Sequence, residues 1–229
     1  MMQEVQDIHW DLSELHDSLS LEESRSLLDS IQQKAEAFSD QYKGRVNQLS
    51  SVELYDALLQ YDSIRSEIYQ VSQFAHLHYS VDIQDSEILK FVTAVDEFSS
   101  NISNRLLFFF LEIGAVSKNQ LSDWVADERN HGYEYALTEA VKKNKYRLSE
   151  KEEQLINLKD LTGVDALKKM YGEHTSRYEF KLTVNGAEKV MNGTECRSLR
   201  YHDDPVVRRD AMALFFHRYE EDSHIMVHL

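Results

Sequence analysis

Ten histidines, forty acids and one cysteine are the side chains of this 229-residue chain that could hold a metal or move a proton. A zinc hydrolase site of the helical type needs two His one turn apart with a Glu directly after the first. Both imidazoles then reach one ion, and the Glu polarises the attacking water. No His here is followed by Glu. His224-Ile-Met-Val-His228 has the spacing, but Ile225 stands where the base would be and only Leu229 follows. Two incidental His on a helix surface are the plainer reading of that pair.

Two Glu-x-x-His pairs, Glu128 with His131 and Glu221 with His224, are half of a di-iron carboxylate set. Such a set also needs a Glu from each of two further helices, all projecting into a bundle core. Glu67 and Glu97 are candidates. Asp127, Arg129, Asn130 and Gly132 make the first pair look like a surface turn instead. His76 and His78, two residues apart, point to nearly opposite sides of a helix and cannot share an ion; they read as partly buried packing residues. Cys196 reads as a buried small hydrophobe rather than a reactive thiol. No glycine-rich phosphate loop and no Gly-x-Ser-x-Gly elbow is present. The sequence therefore assigns no catalytic, cofactor-binding or metal residue.

The elements that would position such side chains are mostly helices. One proline and seven glycines are few for this length. Capping pairs Ser20/Glu23, Ser50/Glu53 and Ser149/Glu152 mark helix starts. The first helix carries Leu28, Ile31, Ala35 and Phe38 and stops at Gly44. The second carries Ala57, Tyr61, Ile64, Ile68, Val71 and Ala75. After the turn Val81-Asp-Ile-Gln-Asp, the third carries Ile88, Val92, Val95, Ile102, Leu106, Phe109 and Ile113. Its portion Leu106–Leu111 is apolar all round, so neighbours should cover it on several sides. The three read as antiparallel hairpins of a bundle. Trp10 and Leu12 are expected to pin the opening segment onto it.

Gly114 marks a break. A fourth helix is expected from about Asn119 to Val141, interrupted near Gly132, followed by Lys142-Lys-Asn-Lys as a solvated loop. Beyond Ser149 a helix should bury Leu155, Ile156 and Leu158, and another from Gly163 carries Val164, Leu167 and Met170. Tyr178 to Val184 then alternates as a half-buried strand. Asn185-Gly186 suits a type I′ turn, and a return strand of about Ala187 to Val190 closes the β-hairpin (about 178–190). Asp203 or Asp204 caps a last helix with Pro205 at its first position and Val207, Ala211, Leu214, Phe215 and Ile225 on one face. The fold class is mostly α, with one small β-hairpin.

Net charge is −15. Residues 1–116 carry 20 acidic and 7 basic side chains; residues 117–229 carry 20 and 18. So acidic a surface repels phosphate backbones, which argues against a nucleic-acid partner. The longest apolar run is far short of the roughly 20 residues a membrane span requires, which argues against a membrane partner. A single Cys allows no intrachain disulfide and suits a cytoplasmic, reducing compartment. Met1-Met-Gln-Glu-Val-Gln-Asp has neither the basic end nor the apolar run of a signal peptide.

Leu148-Ser-Glu-Lys-Glu-Glu, Phe180-Lys-Leu-Thr-Val-Asn-Gly and Leu199 through Pro205-Val-Val-Arg-Arg-Asp-Ala, in this order, resemble the region leading into the catalytic domain of oligoendopeptidase F. That enzyme belongs to the thimet-oligopeptidase-type zinc metallopeptidases. Trp10-Asp-Leu-Ser-Glu-Leu, Phe38-Ser-Asp-Gln-Tyr-Lys-Gly-Arg and Tyr79-Ser-Val-Asp-Ile resemble that family's opening segment. The resemblance implies an amino-terminal helical segment at 1–116, a second helical part with the hairpin at 117–192, and the start of the peptidase domain, cut short, at 193–229. It implies zinc and short peptides for the intact protein, with the amino-terminal helices forming one wall of the substrate channel. It carries no catalytic, cofactor-binding or metal residue onto any position here, so the chain alone is expected to be inactive. Met226-Val-His-Leu, inside a periodic helix with no Gly or Pro stop, fits such a cut. The alternatives are a non-enzymatic helical module that binds a peptide or partner, or self-associates, through an uncovered apolar face, and the di-iron bundle.

Overall fold

The computed structural model describes residues 11–228. Among them helices dominate, and one two-stranded antiparallel sheet is present. The chain divides into two compact units, one running through Lys159 and one from Asp160 on. Trp10 lies outside the described residues. Leu12, the other expected pin, packs with Leu15 and Leu19 against the cluster of Val71, Phe74, Phe91 and Val92.

The first unit is built on helices α1 (Leu21–Tyr42), α2 (Ser51–Val81) and α3 (Ser86–Gly114). Ser50 and Glu53 form the full reciprocal cap of α2. At α1 the box is one-sided. Ser20 accepts from Glu23 N–H, but the Glu23 carboxylate takes the Ser18 hydroxyl, and Ser20 N–H donates to Ser18 Oγ at 2.9 Å. Asp85 caps α3 by accepting from the N–H groups of Glu87 and Ile88. Every apolar residue of Leu106–Leu111 is at least partly covered. Phe109 is wholly buried, with ring centroids 5.0 Å from Phe38 and 5.4 Å from Tyr61. One turn further, the Glu112 carboxylate accepts from Gly44 N–H at 2.8 Å and Val46 N–H at 3.2 Å. It thereby holds the turn after α1, where Gly44 takes φ +76°.

The expected fourth helix is two: α4 (Lys118–Val125) and α5 (Glu134–Lys143), with a 3-10 segment at Glu128–Tyr133. Two buried polar groups fix this break. Trp124 Nε1–H donates to Leu49 O at 3.0 Å, and the Asn130 amide donates to Trp124 O at 2.9 Å and Ser51 O at 3.2 Å. The basic run is not a loop. Lys142 and Lys143 form the last turn of α5, where cations suit the negative helix end, and Lys142 pairs with Glu139 at 3.0 Å.

Helices α6 (Glu150–Thr162) and α7 (Val164–Ser176) start and stop as their sequence suggests, with Ser149 and Glu152 exchanging hydrogen bonds. Their apolar faces are not buried, however. Leu155, Ile156 and Leu158 are 58, 43 and 47% exposed, and Val164, Leu167 and Met170 are exposed as well. Periodicity says which face of a helix is apolar, not what lies against it.

In the second unit, Tyr178 closes the end of α7 through its N–H to Thr175 O at 3.1 Å, so the strand ladder begins two residues later than expected. Strands β1 (Phe180–Val184) and β2 (Ala187–Met191) pair from Phe180↔Met191 to Val184↔Ala187. Asn185 and Gly186 have φ of 54° and 79°, the signs a type I′ turn demands. Asn192 and Glu195 cap α8 (Gly193–Ser198) reciprocally. Asp204 caps α9 (Pro205–Glu221), with Pro205 at its start. Ile225 is not on that helix. The run breaks at Asp222 and resumes as α10 (Ser223–Met226), so Met226-Val-His does not continue a periodic helix. Tyr178, Phe180, Cys196 and Ala211 form the core, and Phe215 stacks on Phe180 at 5.6 Å.

Gly114 is needed for close approach rather than for a turn. A Cβ there would sit 2.9 Å from Ala140 O and 2.9 Å from Arg147 Nη1. Gly114→Ala is expected to cost about 1–3 kcal/mol by overpacking, seen as a lower urea midpoint at unchanged slope. A wild-type midpoint would contradict this account of the α3–α5 contact.

Candidate functional site

The structure does not assemble the sets that the sequence offered. His224 and His228 are both exposed. His131 and Glu128 lie exposed on the 3-10 segment, Glu221 and Glu97 are exposed, and Glu67 is held by Lys34 at 2.7 Å. No three His, Cys, Asp or Glu side chains among the described residues are placed to share an ion. The di-iron reading therefore fails on geometry, because its ligands must project into a core. His76 bonds Asp96 at 2.8 Å between α2 and α3, and His78 packs edge-on against Phe74. Cys196 is buried, and burial pushes its thiol pKa up, which keeps it protonated and unreactive.

The residues that do converge lie in the second unit, around Asp222. Its Oδ2 accepts from the Tyr178 hydroxyl at 2.6 Å, lies 2.7 Å from His174 Nε2, and is 3.0 Å from Arg218 Nη1. The Arg218 guanidinium also sits 4.0 Å from the Tyr178 ring centroid. The end of α7, the approach to β1, the end of α9 and the start of α10 thus meet on one carboxylate. Hydrogen bonds from Tyr178, then His174, then Arg218 hold its pKa down at about 2. Burial, and then its hydrogen bond to that carboxylate, push the Tyr178 phenol up, so Tyr178 stays a neutral donor.

Beside this hub runs an open apolar groove of about 770 Å³. Val164, Leu167 and Tyr171 of α7 line one side; Tyr219 of α9, Met226 of α10 and Val227 just after it line the other. Lys168 and Ser223 are its other polar groups. The Tyr171 and Tyr219 hydroxyls meet at 3.3 Å, and burial, then this contact, push Tyr219 up to about 12. The arrangement offers no nucleophile–base pair and no open ligand set. Asp222 Oδ2 meets groups from Tyr178, His174 and Arg218, so it orders the walls, and the groove can bind.

Helix spacing in the sequence does not point to this site; it singles out Glu221 and His224, on either side of Asp222, because they are spaced like a ligand pair. His174 and Tyr178 lie 48 and 44 positions from Asp222. The Asp222–His224 stretch carried one usable signal, a cluster of polar residues interrupting an apolar stripe.

Residues 112–180 match the family model described as Oligopeptidase F. A curated relative, the oligoendopeptidase F homolog of Borreliella burgdorferi, is 21% identical over 221 residues, covering 96% of this chain and 36% of its own. A solved Chlamydophila abortus protein described as a peptidase superposes with a TM-score of 0.51 at 16% identity, over 93% of this chain and 36% of that one. The chain resembles the amino-terminal portion of oligoendopeptidase F. The structural likeness, at its low identity, shows the fold alone. This oligoendopeptidase F-like chain spans little more than a third of the length of the relatives it matches. The zinc that the peptidase family suggests for an intact protein does not fit the residues here. The His224/His228 pair lacks the Glu, and no third ligand stands near it among the described residues.

A carboxylate with a depressed folded pKa contributes stability above its unfolded pKa and loses it as pH falls through the folded value. The Asp222 contribution is therefore present at neutral pH and disappears from about 3.8 down towards about 2. Asp222→Asn should lower thermal stability at pH 7, with the gap to wild type narrowing across that window. A gap that is constant from pH 7 to 2 would contradict the hub.

Proposed function

We propose that this chain acts as the amino-terminal, non-catalytic portion of a zinc-dependent oligoendopeptidase. In this reading it supplies one wall of the channel that admits short peptides, and it does not cleave them by itself. The observation that carries the reading is the likeness to an oligoendopeptidase F homolog along 96% of the chain, with residues 112–180 matching the family model. The missing chemistry follows from the sequence, because none of the ten His precedes a Glu. Segments 1–116 and 117–192 serve as the access wall, and 193–229 as the opening of the peptidase domain. The one cysteine is buried, which suits work in the cytoplasm. No helix among the described residues is long and apolar enough to cross a membrane.

The exposed aliphatic side chains of α6 and α7 favour a second reading, a helical module that binds a partner without catalysis. The two readings agree that the chain alone is inert and differ in whether its partner is a peptidase. Incubation of the chain with internally quenched fluorescent octapeptides, with and without added zinc, should give no cleavage above buffer. Zinc-dependent cleavage abolished by His224→Ala would overturn the proposal.

A further inference from the structure

The groove between α7 and the α9–α10 end has no cover among the described residues of its own unit. Its walls are aliphatic and aromatic, and Val227 is 75% and Leu167 40% exposed. We infer that this groove is the seat of an amphipathic helix, presented by the polypeptide that the relatives carry beyond the share this chain spans. The inference rests on the oligoendopeptidase reading above and names where the rest of that protein would dock.

Three observations select this occupant. The groove offers few polar partners: the Lys168 ammonium, the Ser223 hydroxyl, and two phenols already engaged with each other. An extended peptide laid into it would strand backbone N–H and C=O groups against apolar walls, each a costly loss. A helix satisfies those groups internally and brings side chains at i, i+3, i+4 and i+7 to one face. None of the lining residues belongs to β1 or β2, so the groove has no sheet edge to extend.

Second, the only charged residue in the lining among the described residues is a cation, Lys168. An acidic side chain beside the occupant's apolar stripe would complement it. A second copy of this chain, with a net charge of −15 each, would have to overcome mutual repulsion first. Third, the relatives carry nearly two thirds of their length outside the matched part, which supplies an occupant without invoking an unrelated protein. The Asp222 hub then has a definite role. It ties the start of α10, just before Met226 and Val227, to the end of α7, and so holds the two walls of the groove together.

The test uses the full chain and a fluorescein-labelled peptide of about 20 residues, several helical turns. Its sequence is the segment that directly follows the aligned region in the Borreliella burgdorferi relative. Saturable anisotropy, with a gain in helicity on mixing, is expected. Leu167→Asp and Val227→Asp, both at exposed positions that leave the fold intact, should each weaken binding at least tenfold, while Leu155→Asp in the first unit leaves it unchanged. No binding, or binding indifferent to both groove variants, would overturn the inference. So would a dimer of the chain that Leu167→Asp dissolves, since a second copy would then be the occupant. If the chain cleaves peptides with zinc, the functional reading fails whatever the groove does. If the chain is inert and the groove variants bind normally, only this inference fails.

Discussion

Burying six consecutive apolar residues on one helix is the constraint on which the first unit depends. Leu106 to Leu111 point all round α3, and no single neighbour can cover them. Helices α1, α2 and α5 all pack against α3. Phe38 of α1 and Tyr61 of α2 supply the rings that close on Phe109. Polar fasteners are placed where this packing leaves backbone exposed to desolvation. Glu112 takes the orphan N–H groups after α1, and Trp124 and Asn130 take the carbonyls around the start of α2. Unpaired in such a place, each of these groups would cost about 1–3 kcal/mol. The packing thus sets which chain reversals are tolerated, and Gly114 is present because α5 must come close.

The second unit solves a different problem with a smaller core. A two-stranded hairpin is marginal alone and is held by packing Phe180 against Phe215 and Cys196 against Ala211. Asp222 then gathers a His and a Tyr from distant parts of the chain and an Arg from one turn before it. It interrupts what would otherwise be one helix from Pro205 to Met226 and turns the interruption into a fixed corner. The groove next to it follows from that corner.

Features specified by adjacent residues were legible in the sequence. Ser50 with Glu53 gave the start of α2, and Asn185-Gly186 gave the turn to within a residue. The stripe from Ile88 to Ile113 gave the buried face of α3. Features set by distant partners were not. The apolar stripe of α6 looks the same whether or not another element lies against it, so Leu155, Ile156 and Leu158 were expected to be inside. Glu23 was expected to close a capping box, and Ser18 competes for its carboxylate. The Asp222 site was missed because helix-spacing arguments see partners three or four residues apart; they can reach Arg218, but His174 and Tyr178 come from the end of another helix and the approach to a strand. The family likeness, 21% identity along 96% of the chain, was legible in short segments read in their order.

The chain has the helical scaffold of an oligoendopeptidase F-like amino-terminal portion, and the histidines among its described residues are engaged in packing, in polar contacts or on the surface. The most direct test is zinc binding by the purified full chain, by equilibrium dialysis against micromolar zinc followed by elemental analysis. The account predicts well under one zinc per chain, unchanged by His224→Ala or His228→Ala. One tightly held zinc per chain, lost in either variant, would contradict it and return the metal centre to this polypeptide.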